Sequence, residues 1–427
     1  MTQQPTRARY WVIFFAVTLA ILSYIDRVCI SQAAPAMRAS LGLSTVQMAW
    51  AFSVFSWAYA LFEIPGGWLG DRLGPRRVLM RIVIWWSFFT AATGWVWNET
   101  SLLVVRTLFG AGEAGCFPNL TRAFTTWIPK HERDRAQAIL WLSARWGGAF
   151  TPLIVAYLLD YMSWQRAFEL FGAIGVIWTI AFYRWYRDDP STHPGVNAAE
   201  LAMLPPPEET ARVHGSVDWR LFRSSPAVWL LWGQYACLSY GWWFYITWLP
   251  TYLRDVRGLS LKHGAVLAGL PLLFGGIGCV VSGFLAPHLM RWSGVSRARR
   301  LLAVSGFVGA SVSTLVFTRL QDPTIAMLTL GLSSFFNDLA MPPSWAACMD
   351  VGGRYSGTLS GGMNMMGNIA GGFSPLFVGY LLAWTSGNWT LTFYVSAAIY
   401  LAGAGCWLFL DSHTPLERTV DDLSAAV

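Results

Sequence analysis

Residues 148–159 read GAFTPLIVAYLL, and residues 371–382 read GGFSPLFVGYLL. Eight of the twelve positions are identical at an offset of 223 residues, close to half of the 427-residue chain. Pro, Tyr and Phe match in register, which sets the pair apart from two apolar helices that merely share composition. A weaker echo joins GGWLGDRLGPRR (66–77) to GFLAPHLMRWSGVSRARR (283–300), each a Gly-rich helix end followed by an arginine cluster. A chain that repeats once at half its length is built from two like halves. Among membrane proteins that plan belongs to transporters whose cargo site lies between the halves, near the bilayer midplane.

Composition supports the membrane. The chain is 55% hydrophobic and 12% charged, whereas soluble domains carry about 25% charged residues. Twelve apolar stretches approach or exceed the roughly 20 residues that a crossing helix needs: about 10–36, 46–68, 78–97, 101–126, 136–159, 165–186, 226–253, 262–290, 300–318, 323–348, 355–384 and 388–410. The expected fold is therefore all-α and integral to the membrane, with twelve transmembrane helices in two pseudo-symmetric six-helix halves. The halves are 1–186 and 226–412, joined by a Pro-rich polar linker at 187–225 and followed by a tail at 413–427. Arginine and lysine concentrate in the loops near 72–81, 130–135, 184–187 and 291–300. The opposite loops hold Arg38, Arg166, Arg254, Arg257, Lys262 and Arg319. By the positive-inside rule both termini face the cytoplasm. No cleavable signal pattern opens the chain.

The net charge of +7 does not point to nucleic acid, because the basic residues sit in short loops between apolar runs. Cys29, Cys116, Cys237, Cys279, Cys348 and Cys406 lie in or beside apolar stretches without metal-ligand spacing or a disulfide framework, and read as small hydrophobes. Neither a nucleophile–base constellation nor a phosphate loop is present, so an enzyme or an ATP-driven pump is not expected, and no metal or other cofactor is implied.

Charges inside the spans carry the chemistry. A charged side chain at a helix centre costs about 2.5–3.5 kcal/mol, so each is a functional candidate. Asp26, Arg27, Glu63, Arg106, Glu113, Arg145 and Asp338 fall in this class, while Asp71, Arg122 and Asp350 read as cheaper positions near helix ends. Arg27 lies roughly 27 Å above Arg9, and Arg106 roughly 9 Å below the other end of its span, so the two reach similar depth. Glu113 is two turns beyond Arg106 on the same face. The simplest arrangement is an inward cluster of Asp26, Arg27, Arg106 and Glu113. Two arginines and two carboxylates are neutral together. A bound carboxylate adds a negative charge that protonation of one acid offsets, so anion binding and proton uptake favour each other. A structural salt-bridge network is the alternative use of the same charges.

GGWLGDRLGPRR resembles the loop 2–3 signature of the major facilitator superfamily, through Gly67, Asp71, Arg72, Gly74, Arg76 and Arg77. Within it, the chain resembles the anion:cation symporter family on SYIDRVCIS (23–31), WAYALFEIPGGWLGDRLG (57–74), VRTLFGAGEAGCFPNLTRAFTTWIPKHERDRA (105–136), TWLPTYL (247–253) and GNIAGGFSPLFVGYLL (367–382). The resemblance covers nearly the whole chain. It implies bacterial organic-anion:proton symport, commonly of sugar acids, in the inner membrane, by a protein functional as a monomer. It also implies that Arg27 contacts the substrate carboxylate, that Asp26 and Glu113 are the proton sites, and that Arg106 tunes them. Tyr59 and Asn368 match substrate-binding positions, and Gln234 and Trp345 are looser matches. Packing is the plainer use of Tyr59 and Trp345, and a helix–helix hydrogen bond that of Asn368. The resemblance further implies that Asp71 contacts the eleventh span and steadies the outward-facing state. Basic loop residues also orient helices, which is the plainer use of the arginines there.

Arg145 departs from the pattern. The internal repeat aligns it with Asn368, and sugar-acid members resembling this chain carry a neutral polar residue there. It serves either a second anionic group on the substrate or Asp338, and the sequence leaves both open. Glu63 has no assigned role. Other functional readings are import of a dicarboxylate or aromatic acid, anion exchange, sodium coupling, or a membrane anion receptor that moves nothing. The aromatic run YGWWFYITWLP (240–250) suits a sugar ring or an aromatic acid, and equally a lipid-facing surface.

Overall fold

Apolar runs broken only by Gly, Pro and short polar turns fold as long helices in the computed structural model, which describes residues 4–43, 45–206, 217–247, 249, 252–253, 256–258 and 261–416. The long helices are α1 (Ala8–Leu41), α2 (Thr45–Leu73), α3 (Pro75–Thr93), α4 (Glu99–Glu113), α5 (Cys116–Trp127), α6 (Arg133–Tyr161) and α7 (Trp164–Trp185). After a connection containing short helices Ala198–Leu201 and Trp219–Ser224 come α8 (Pro226–Thr247), α9 (Leu261–Ser293), α10 (Val295–Phe317), α11 (Pro323–Leu339), α12 (Met341–Gly352), α13 (Ser356–Trp384) and α14 (Trp389–Phe409). No strand occurs among the described residues.

The repeat is visible in the element order. Gly74, at φ 87°, separates α2 from α3, and Gly294, at φ 79°, separates α9 from α10. A positive φ is cheap for glycine, and Pro75 then starts α3 where its missing N–H costs nothing. Six stretches among the described residues, from Ala8–Arg27 to Trp389–Phe409, are long and apolar enough to cross a membrane. Large apolar side chains such as Trp292 and Trp384 stand exposed, as expected where lipid is the solvent.

Two of the expected spans are not continuous. The stretch 101–126 breaks into α4 and α5 at Ala114–Gly115, where Gly115 adopts φ 83°. Gly66 of α2 approaches so closely that a side chain on Gly115 would strike its backbone. Asn119 secures the break, its Nδ2 donating to Gly66 O at 2.9 Å and Gly115 O at 2.7 Å. The stretch 323–348 likewise breaks at Ala340, ahead of Pro342 and Pro343 in the first turn of α12. An acid stands just before each break: Glu113 ends α4, and Asp338 is the penultimate residue of α11.

The chain forms two compact units. The first comprises Met1–Lys130, Trp146–Val217 and Arg354–Gly362, and the second His131–Arg145, Asp218–Gly353 and Met363–Val427. Thus the first turns of α6 pack in the second unit, and the first turns of α13 in the first. The first unit buries Ile30, Met37, Met48, Leu102, Phe168 and Phe171 in one apolar cluster. The second buries Phe244, Leu249, Met327, Leu330 and Phe393.

The linker is not simply a polar spacer. Glu200 is buried and receives the Ala8 and Arg9 N–H groups at 3.1 Å, the Thr6 hydroxyl at 2.6 Å and Arg9 Nη1 at 3.2 Å. It thereby caps α1 from outside, since Arg7 provides no side-chain cap. His193 packs its ring against Trp127 and Trp185, and its Nδ1 accepts the Gly195 N–H at 3.0 Å. Linker residues 207–216, tail residues 417–427 and Arg254 lie outside the described residues.

Candidate functional site

The first unit gathers the buried charges of α1 and α4. Glu113, at the end of α4, accepts Arg27 Nε at 2.9 Å and the Ser23 hydroxyl at 2.5 Å, both on Oε1. Ser23 and Arg27 are one turn apart on α1 and so share a face. Glu113 Oε2 has no hydrogen-bond partner. The Arg27 guanidinium sits among the rings of Tyr59 (4.4 Å), Phe55 (5.6 Å), Tyr24 (5.8 Å) and Phe117 (5.8 Å). Its side chain is 20% exposed, and Nη2 is without an acceptor. The result is a guanidinium with its Nε held, four aromatic rings within 6 Å and the Nη2 donor to spare.

Asp26 and Arg106 behave differently. Asp26 is 1% exposed, and neither carboxylate oxygen accepts a hydrogen bond. The indole N–H of Trp86 and the hydroxyl of Thr90 on α3, likewise buried and unpartnered, are its polar surroundings. Arg106 stacks against Phe55 and Phe109, at 4.9 and 4.7 Å, and its Nε finds no acceptor. The expected four-charge cluster therefore contains one made ion pair, Arg27–Glu113, beside an unbonded acid and an unbonded guanidinium. Sequence reading missed Ser23, Phe55 and Phe117. The i, i+4 spacing from Ser23 to Arg27 was the available signal for the first, whereas the two rings are indistinguishable in sequence from core residues.

The loop 2–3 residues are built into a helix end. Asp71 accepts the N–H groups of Gly357 (2.9 Å) and Thr358 (2.6 Å) and the Thr358 hydroxyl (2.6 Å), all in the first turn of α13. Arg122 Nε lies 3.6 Å from the same carboxylate. A helix N-terminus presents unpaired N–H groups and positive potential, so a carboxylate is its natural partner. Gly67 makes the approach possible, because a side chain there would collide with Gly357 O. Asp71, Arg122 and Asp350, read from sequence as cheap near-end charges, are in fact buried at 0%, 2% and 6% exposure. They are tolerated because each is paired. Arg76 turns back to the Tyr183 carbonyl, and Arg72 and Arg77 are exposed.

In the second unit Arg145 forms a two-point ion pair with Asp338, Nε to Oδ2 at 2.7 Å and Nη2 to Oδ1 at 3.0 Å. Gln234 is held internally: its Oε1 accepts Ser344 Oγ (3.1 Å) and Trp407 Nε1 (3.0 Å), and its Nε2 donates to Leu231 O. Trp345 is fully buried against Trp141 and Tyr235. The structure thus places Gln234 and Trp345 in the packed interior rather than on a free face. Asn368 is half-buried, with Nδ2 donating to Asn364 O at 2.9 Å. Beyond these groups, Asp350 links Arg133 and Arg299, and Arg299 also clasps Asp134 at 3.0 Å. Among the described residues no group of His, Cys, Asp and Glu could hold a metal.

A model of the Major Facilitator Superfamily matches residues 16–375. The chain is 36% identical to a probable sulfoacetate transporter of Cupriavidus necator, covering 96% of this chain and 95% of that protein. It is 32% identical to a probable galactarate/D-glucarate transporter of Escherichia coli strain K12, covering 90% and 89%. Identity to a D-galactonate transporter of Escherichia coli O6:H1 is 29%, covering 95% and 96%. Among solved structures, a human organic anion transporter superposes with a TM-score of 0.72 at 16% identity, covering 95% of this chain and 100% of that one. A proton:xylose symporter superposes with a TM-score of 0.73 at 12% identity, covering 98% of each.

Proposed function

The chain belongs to the major facilitator superfamily, integral membrane transporters rather than enzymes, and on that premise we propose that it imports a small organic carboxylate together with a proton by alternating access. The observation that carries this reading is the Arg27 guanidinium: part exposed, close to four aromatic rings, with its Nε on Glu113 and its Nη2 donor unused. A carboxylate binds such a fork through charge-assisted hydrogen bonds. Tyr59 packs on the guanidinium and positions it. When the anion arrives, it competes with Glu113 for Arg27, and a proton on Glu113 resolves the competition. Asp26 is the acid whose protonation breaks no ion pair, which suits it to receive the proton first and pass it on. Arg106 supplies the positive charge that holds the two acids in balance. Asp71, on the first turn of α13, serves as a latch for one of the two access states. The protein works as a monomer in a bacterial inner membrane, with both termini in the cytoplasm.

Sugar acids are the favoured cargo, because two relatives are named for galactarate, glucarate and galactonate. A second reading is supported by the 36% and 32% identical relatives: sulfoacetate, galactarate and glucarate each carry two anionic groups. Reconstituted protein tests the mechanism. An acid-outside pH gradient is expected to drive accumulation of galactonate or galactarate, with sodium gradients ineffective. Glu113→Gln is expected to abolish accumulation while retaining exchange of bound for free acid. Uphill transport by that variant at the wild-type level would sink the role given to Glu113.

A further inference from the structure

Three buried polar groups meet between α1 and α3 of the first unit: the Asp26 carboxylate, the Trp86 indole N–H and the Thr90 hydroxyl. None of them has a hydrogen-bond partner. Trp86 and Thr90 are one turn apart on α3 and share a face, and both act on the Asp26 carboxylate. Gly175 of α7 lets the helices close. A side chain there would strike Ser87 of α3 and come within 3.7 Å of Leu22, one turn before Asp26 on α1. Neighbouring donors are spent elsewhere. Trp85 donates to the Leu108 carbonyl at 2.8 Å, and Trp178 of α7 to the Thr18 hydroxyl at 3.0 Å. Thr93 turns back to the Phe89 carbonyl at 2.8 Å, and Thr179 to the Gly175 carbonyl at 2.9 Å. A threonine in an apolar helix ordinarily satisfies itself on its own backbone in this way. Thr90 does not.

A buried donor left unpaired is costly. Packing alone therefore gives a poor account of an indole and a hydroxyl that both face a carboxylate. An indole N–H can only donate, and an ionised carboxylate can only accept. Trp86 thus serves the ionised form of Asp26 above all, through a charge-assisted contact. The Thr90 hydroxyl donates to the ionised form as well, and it can accept the O–H of the protonated one. The charged and titratable groups that face Asp26 are Arg106 and Glu113 of α4 and Cys29 of α1, whose thiol donates to the Asp26 main-chain oxygen at 3.3 Å. Arg27, next in the chain, is turned to Glu113. The charges of α3 itself, Arg76, Arg77 and Arg81, lie in its first two turns.

We propose that Trp86 and Thr90 are positioning residues of the proton site: their two donors close on the Asp26 carboxylate when it is ionised, and so set how readily Asp26 gives up its proton. This deepens the proton-coupled reading and rests on it, since there Asp26 receives the proton and passes it on. The only bond broken is the carboxyl O–H. Its proton moves to Glu113, and the oxygen it leaves takes the indole N–H in its place. The two residues act through Asp26 and not on the cargo. They give the ionised acid the partners that Arg106 does not, because that guanidinium is stacked on Phe55 and Phe109.

The test uses full-length protein in liposomes, with galactonate, galactarate and sulfoacetate as probes. Exchange of labelled for unlabelled acid is measured at one pH on both sides, from about 5.5 to 9, a range in which ordinary carboxylic acids stay ionised. Exchange needs the proton-loaded carrier, so its rate falls as pH rises through a midpoint. Trp86→Phe keeps the ring packing and removes the N–H. Thr90→Val keeps the shape and removes the hydroxyl. Each loss costs the ionised acid more than the protonated one. Each variant is therefore expected to move the midpoint up by about one pH unit, a tenfold gain in proton affinity. Thr90→Ser returns the hydroxyl and with it the wild-type midpoint. A residue that only packs would slow exchange at every pH and leave the midpoint in place. An unchanged midpoint in Trp86→Phe or in Thr90→Val overturns the inference and leaves proton-coupled import standing. Wild-type exchange that does not fall across the range, with accumulation still driven by an acid-outside gradient, does the same. If Trp86→Phe does not fold, Thr90→Val against Thr90→Ser decides alone, and equal midpoints overturn the inference. A wild type that accumulates none of the three acids under the gradient overturns the import reading and the inference with it.

Discussion

Ser23 and Arg27 donate to one oxygen of Glu113 and leave the other bare. The arginine's planar fork is what allows it to hold Glu113 and still offer donors to a cargo. Lysine is a point charge and cannot do both. Arg27→Lys is therefore expected to weaken cargo affinity by roughly 10–100-fold, the worth of a charge-assisted contact at about 1.5–3 kcal/mol. The concentration dependence of exchange measures this, and an unchanged half-saturation would contradict it. The charges of this site were legible in sequence because each is costly in an apolar span and has no cheap use. Ser23 was not, since a serine on a transmembrane helix ordinarily satisfies itself on its own backbone. Nor could the sequence show that Gln234 is consumed by Ser344 and Trp407, because that depends on helices α12 and α14 arriving beside α8. Outside the membrane, His193 gives a pH prediction. Burial first, and then the positive charge of Arg187, push its imidazole below the usual 6.5. The neutral ring is the one that accepts the Gly195 N–H. Its contribution to stability is fully present above pH 6.5 and is lost as pH falls through the lowered value. Thermal melting of wild type is expected to decline on acidification below pH 6.5, and His193→Phe to flatten that slope. Identical slopes would refute the assignment.

At the scale of elements, the two helix breaks organise the molecule, and they differ in how they announce themselves. Pro342 and Pro343 mark the start of α12 in sequence. GAGEAGC, around Gly115, reads as a continuous small-residue helix. Its break depends on Gly66 lying against it and on Asn119 tying the two strands of backbone together. The length of the apolar runs therefore outlined the long helices to within a few residues and missed both interruptions. The end of α13 makes a further prediction. Asp71→Ala removes the acceptor of two buried N–H groups and leaves Arg122 without its carboxylate. Removing one member of a buried pair costs about 3–5 kcal/mol. A clearly lower melting temperature of the detergent-solubilised protein is expected, with Asp71→Asn falling between, because an amide oxygen still accepts one N–H. Equal loss in the two variants would show that charge, not the acceptor, holds α13.

On the scale of the whole chain, the internal repeat was the most informative signal, since it predicted two like halves before any helix was placed. What it could not reveal is that 131–145 and 354–362 pack away from the remainder of their own halves. That exchange is read out in tertiary contacts made by buried charges. Arg299 joins Asp134 of α6 to Asp350 of α12, and takes the Ser412 carbonyl at 3.1 Å from the segment after α14. Arg299→Met is expected to destabilise the protein by about 3–5 kcal/mol, because Asp134 is left buried without its guanidinium. A melting curve superimposable on wild type would refute this. The clasp of Asp71 on α13 has a consequence in time. Its carboxylate and the N–H groups it receives are 286 and 287 residues apart. At about 5–20 residues per second of synthesis, roughly 15–60 s pass between the two reaching the membrane. From about 3–10 s into that interval Arg122, 51 positions downstream of Asp71, is a partner already made. The pair that later flanks the latch is thus also the first partner that a nascent first half offers the Asp71 carboxylate.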